Sequence, residues 1–171
     1  EDKKLIDLFY LKFDNANVLK LLKDKDAAID PCGIYSAEEL TEFISLLKDG
    51  DEVADAMFPS YLSTFISEYF NTPAEDEFLH EDRLAALYYD YAMKCSNGFI
   101  RSWFELNLNI NNMLTAITCR KYGFDKADYI VGHNEVAEAI RTSNARDFGL
   151  GDTVDYLPDL QRIAEEPDLM A

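Results

Sequence analysis

The sequence predicts an all-α fold, on three observations. Apolar residues recur at three- and four-residue steps through several long stretches. No segment alternates apolar and polar side chains, the period of a half-buried strand, for more than a few residues. Serine, proline, asparagine and glycine stand where such helices would start and stop.

The first helix is expected from Leu5 to about Asp24, with Leu8, Leu11, Val18 and Leu22 on one face. A turn follows at Asp30-Pro31-Cys32-Gly33, where proline fixes φ and glycine tolerates unusual backbone angles. Ser36 and Glu39 have the spacing of a capping box, so a second helix starts there and runs to about Lys48. Pro59 and Ser60 open a third, ended by Asn71, Thr72 and Pro73. Residues 74–82 read as an acidic loop, before a fourth helix with Leu84, Tyr88, Tyr91 and Cys95 on one face and a stop at Asn97-Gly98. The longest helix is expected over Phe99–Asp125, with Phe99, Trp103, Leu106, Ile110, Met113 and Ile117 as its buried stripe and Phe104, Leu108 and Leu114 beside it. A short sixth helix covers about Asn134 to Ser143. Past Arg146 the pattern loosens, recovering weakly from Val154 to Ala164.

Composition narrows the function classes. Of 171 residues 48% are hydrophobic and 13% aromatic, enough for a core without disulfide or metal staples. Sixteen Lys and Arg against 33 Asp and Glu give a net charge of −17, which argues against nucleic acid and against adsorption to an anionic bilayer. No apolar run approaches the roughly 18 to 20 residues of a spanning helix, so no direct membrane insertion is expected. Cys32, Cys95 and Cys119 form no C-x-x-C pair and are odd in number, which fits reduced thiols and a cytoplasmic location. The chain opens on Glu1 and enters a helical pattern at once, as expected of a piece of a longer polypeptide.

The long helix carries Asn107, Asn109, Asn111 and Asn112, residues that disfavour helix interiors because their amides compete for backbone hydrogen bonds. Laying residues 13–25 over 108–120 pairs Asp14 with Asn109, Asn17 with Asn112 and Lys25 with Arg120. One residue of slip then aligns ELTEFI from Glu39 with EVAEAI from Glu135. A helix–loop–helix module therefore recurs at a spacing of about 95 residues. The expected architecture is a multi-helix array, funnel-like or bundle-like, of two related units: 1–72, and 73–171 with a less regular tail, the two together forming one compact domain in the alternative. Asp14, Asn17, Asn109, Asn112 and Arg120 are the candidate site residues, with an architectural role: a buried amide must be bonded, so these side chains would fix how each helix meets its neighbours.

An acidic or Asn residue, an Asn shortly after it, two apolar residues and a basic helix end are seen here as DNANVLKLLKDK from Asp14 and NINNMLTAITCRKYGFD from Asn109. They resemble the repeated signature of the V/A-type rotary ATPase family of C-type subunits, termed d-type in eukaryotes. The similarity covers Leu8 to Ile44 and Trp103 to Ile140. Asn109 stands where that signature has an acid, and Lys25 where it has arginine. The family typically holds three such units, and two are found here, which implies a divergent or truncated bacterial relative. The resemblance implies a non-catalytic protein that couples the central stalk of the motor to the membrane rotor ring in proton or sodium transport, with other protein subunits as partners. Its location would be cytoplasmic, peripheral to the membrane through the complex. The alternative is a soluble acidic helical scaffold whose surface meets an unrelated, basic partner protein.

No reactive constellation competes. Glu77 and His80 have the Glu-x-x-His spacing of di-iron bundles, but His133 lacks the Glu of a second pair. Glu75, Asp76, Glu77, Glu81 and Asp82 lack the ligand alternation of a calcium loop and read as a solvated segment. No nucleophile elbow, Walker loop or dinucleotide loop occurs, and Asp147-Phe148-Gly149 stands without the rest of a kinase signature. No enzyme activity, cofactor or metal is expected.

Overall fold

The capping box at Ser36 forms: its hydroxyl accepts from the Glu39 amide, and the Glu39 carboxylate accepts from the Ser36 amide at 2.8 Å. The computed structural model describes residues 2–51, 53, 57–71 and 77–166, and among them it is all-helical, with no strand. Two compact units emerge, Glu1–Ser96 and Asn97–Ala171.

The first unit holds α1 (Asp2–Lys23), α2 (Ala37–Asp49), α3 (Ser60–Asn71) and α4 (Glu77–Met93). Each packs on the next in chain order, and α1 also meets α4, so the four close a ring. The division falls after α4 rather than at 72/73, because α3 packs more extensively on α4 than any other pair of helices does. Leu11, Val18, Leu40, Phe43, Leu62, Phe65, Ile66 and Leu84 fill the ring, each large side chain contributing about 1.5 to 3 kcal/mol. Phe43 stacks on Phe58 at 3.9 Å between ring centroids. The Tyr88 hydroxyl donates to the Leu8 carbonyl at 2.7 Å, giving the buried ring a partner across the unit.

Part of the expected acidic loop is helical, since α4 already begins at Glu77; residues 74–76 lie outside the described residues. Lys25 lies past the end of α1, in a turn, and so is not the basic end of a helix.

The second unit is built on α5 (Gly98–Tyr122), against which pack a 3-10 turn (Lys126–Asp128), α6 (Glu135–Thr142) and α7 (Leu157–Glu165). Asn97 starts α5 instead of ending α4: its side chain accepts from the Ile100 amide at 3.1 Å, satisfying an orphan donor of the first turn. The helix ends at Tyr122 rather than Asp125, because Gly123 turns left-handed at φ 77°. Met113, Ala116, Ile130, Ala137, Ile140, Phe148 and Leu157 form the core.

The buried face of α5 differs from the expected stripe. Ile100, Phe104, Leu108, Asn109, Asn112, Met113, Ala116 and Cys119 are buried, whereas Phe99 is 73% and Trp103 45% exposed, and Leu106 is exposed as well. A helix with apolar residues on more than one face turns toward its neighbours the side that also satisfies its buried polar groups. Here that is the side carrying Asn109 and Asn112.

Candidate functional site

In each unit an asparagine grips one residue of the following loop by both backbone groups. The Asn17 amide donates to the Asp30 carbonyl at 3.0 Å while its oxygen accepts from the Asp30 N–H at 2.7 Å. Asn112 does the same to Val131, donating to the carbonyl at 2.8 Å and accepting from the N–H at 3.0 Å. Both side chains are buried, and the pair of bonds copies what a neighbouring strand would offer to an isolated residue. Losing either bond would leave a buried polar group unpaired, at about 1 to 3 kcal/mol each.

One helical turn earlier the two units diverge. Asp14, fully buried, accepts from the Ile34 N–H at 2.9 Å and the Tyr35 N–H at 3.1 Å. Burial pushes its carboxyl above the usual range; the Ile34 and Tyr35 amides oppose that and Asp7 adds to it. Tyr35 is raised to about 12, first by burial and then by Asp14. Asn109 instead accepts from the Asn134 side-chain amide at 2.8 Å, and the Asn134 oxygen caps α6 through the Ala137 N–H at 2.9 Å. Burial raises the Tyr156 phenol, and Asn109 opposes that.

Glycines let the loops come this close. A Cβ at Gly33 would lie 2.6 Å from Asp14 Oδ1 and 2.9 Å from Asn17 Nδ2. Gly132, next to the gripped Val131, combines φ +77° with a Cβ position 3.1 Å from Leu108 Cδ2.

Arg120 is not part of either grip. Its guanidinium donates to the Ala145 and Arg146 carbonyls at 2.8 and 3.0 Å and lies over the Phe148 ring at 4.7 Å, tying the loop after α6 to the end of α5. The module alignment slips again in the second helix. Leu40 and Phe43 of α2 are buried, as are Ala137 and Ile140 of α6, so the inward faces match at an offset of 97 rather than 96.

Sequence reading missed Arg141. From α6 it donates to the Ile130 carbonyl at 2.8 Å and to the Gly132 carbonyl, bracketing the residue Asn112 holds, and it pairs with Glu138. A lone arginine on a short charged helix carries no signal that distinguishes this from a solvated one. Asn15, which accepts from the Tyr61 hydroxyl at 2.6 Å, is equally silent in the sequence.

Chemically, the grips are closed to ligands: their polar atoms are taken up by backbone and side-chain partners, and among the described residues no buried side-chain nitrogen or oxygen lacks a hydrogen bond. His80 packs against Tyr69 at 4.6 Å, while the Glu77 side chain lies outside the described residues. Among the described residues no group of three or more His, Cys, Asp or Glu is placed to hold a metal ion, and no helix is long and apolar enough to cross a membrane. The exposed Cys32 thiol is pushed up by its hydrogen bond to Asp30, which makes it a poorer nucleophile.

The family model described as "Protein of unknown function (DUF2764)" matches residues 1–171. The chain belongs to that family. Searches of curated proteins and of solved structures gave no match.

Proposed function

We propose that this DUF2764 chain is a non-catalytic helical subunit or adaptor of a V/A-type rotary ATPase, working between the central stalk and the membrane ring. The observation that supports the reading is the repeated grip, in which Asn17 and Asn112, the residues of the rotary-ATPase-like signature, hold the backbone of Asp30 and Val131. In such a protein the signature's polar residues shape a helical unit instead of meeting a substrate. A part that transmits torque gains from that use, because a loop held by paired buried hydrogen bonds resists local opening. Contact with the membrane would then run through protein partners.

The test is co-purification. Tagged protein expressed in its own cells and isolated in mild detergent is expected to bring down catalytic and stalk subunits of a rotary ATPase; their absence overturns the proposal. The exposed Phe99 and Trp103 of α5 also suit the second reading, an acidic helical scaffold for an unrelated protein. Salt-sensitive recovery of one partner from outside any rotary ATPase favours that reading.

A further inference from the structure

Four of the chain's sixteen Lys and Arg residues converge on one place in the second unit. A cleft of about 610 Å³ lies between the end of α5, the loop at 144–146 and α7, with Ile117 and Ala164 in its lining and Arg120, Lys121 and Arg146 around them. An adjoining groove of about 550 Å³ shares Arg146 and Glu165 and adds Arg162 and Asp147.

One wall is fixed in advance. Arg120 holds the Ala145 and Arg146 carbonyls from α5, and the Gln161 amide holds the Arg146 carbonyl from α7 at 2.8 Å. Phe148 beneath Arg120 is buried at φ 56°, a left-handed angle that costs a non-glycine residue energy and persists where the surroundings impose it.

The rim cations are only loosely neutralised. Arg146 meets Glu165 at 3.2 Å with side chains 77% and 64% exposed, and Arg162 meets Asp159 at 3.4 Å with 69% and 73% exposed. Pairs so open to water contribute little and exchange readily for another carboxylate. We infer that this cleft takes an acidic peptide segment of a partner protein, with one aliphatic side chain seated on Ile117 and Ala164 and its carboxylates displacing Glu165 and Asp159 from Arg146 and Arg162. Charge complementarity selects the occupant: four cations against Asp147 and Glu165 leave this lining net positive on a chain of net charge −17, so it disfavours the basic segments that the rest of the surface would attract. The surface is independent of which assembly the chain joins.

The probe is fluorescein-labelled Asp-Glu-Leu-Leu-Asp-Glu, compared by anisotropy with its neutral counterpart Asn-Gln-Leu-Leu-Asn-Gln on the full chain. The acidic peptide is expected to bind more tightly, R146E/R162E to weaken it about tenfold and E165Q to tighten it about threefold by removing the internal competitor. Circular dichroism establishes that each variant is folded; E165Q removes only an exposed pair, so it decides the matter if the double variant does not fold. Equal binding of the two peptides, no binding, or no response to E165Q overturns the inference. Inorganic phosphate competing at the same concentration as the peptide would mark a simple anion site and overturn the peptide assignment.

Discussion

The two units use one device on different scaffolds. Asn17 and Asn112 each take both backbone groups of a single loop residue, yet the first sits in a ring of four helices and the second on one long helix flanked by short ones. The position one turn earlier is a buried carboxylate bonded directly to loop amides in the first unit, and an amide bonded to the capping Asn134 in the second. Acidity there is therefore dispensable to the device, whereas the amide is not, because no other side chain of that size carries a donor and an acceptor on separate atoms without taking up a proton. The first unit carries nine Lys and Arg against 21 Asp and Glu, the second seven against 12, so the buried charge belongs to the more acidic unit.

The largest expected effect lies at Gly33. Gly33→Ala sets a methyl 2.6 Å from Asp14 Oδ1, against atoms held by backbone bonds, and should cost about 3 kcal/mol or more in urea unfolding. Gly132→Ala meets only the end of Leu108 but forces alanine to φ +77°, at a smaller cost of about 1 to 2 kcal/mol. If the two costs come out reversed, the loop approach is not what distinguishes the units.

The amides fall between the two glycines. Asn17→Leu and Asn112→Leu should each cost about 2 to 4 kcal/mol, since each strands both an N–H and a C=O. Near-neutral behaviour of either, read from the denaturant midpoint, would break the equivalence of the units.

Asp14→Asn sets the second unit's residue type in the first; it removes the charge and turns one of the two oxygens that face the Ile34 N–H into an NH2, a cost that does not vary with pH. The folded pKa of Asp14 lies above its ordinary value of 3.8, so the group contributes stability that is fully present below that value and is lost as pH rises through the raised one. Stability of Asp14→Asn relative to the parent should therefore climb with pH from about 4 upward, with no such trend for Asn109→Ala. A flat difference would mean that Asp14 is not desolvated as its position indicates.

The smallest effect is expected at Arg120. Arg120→Met loses two exposed carbonyl bonds and the guanidinium over the Phe148 ring, for about 1 kcal/mol.

Much of this fold can be read from the residues. The helical class follows from apolar spacing, and Ser36 with Glu39 announces a helix start that forms at that position. Asn109 and Asn112 attract notice because asparagine is a poor helix former, so their presence asks for a tertiary reason. The inward face of α5 is not legible for the converse reason: the spacing of Phe99, Trp103, Leu106 and Ile110 is regular, while asparagines add nothing to an apolar stripe. Asn97-Gly98 serves equally as a stop or a start, and only the bond to the Ile100 amide decides. Arg141's hold on the loop leaves no trace because its partners there are carbonyls, which no sequence pattern encodes.

Native-state hydrogen exchange tests the account most directly. The Asp30 and Val131 amides are followed in the parent chain, in Asn17→Leu and in Asn112→Leu. Asn17→Leu should speed exchange at Asp30 and leave Val131 protected, and Asn112→Leu should do the opposite. Amides that exchange alike in all three proteins would contradict the claim that each asparagine holds its own loop.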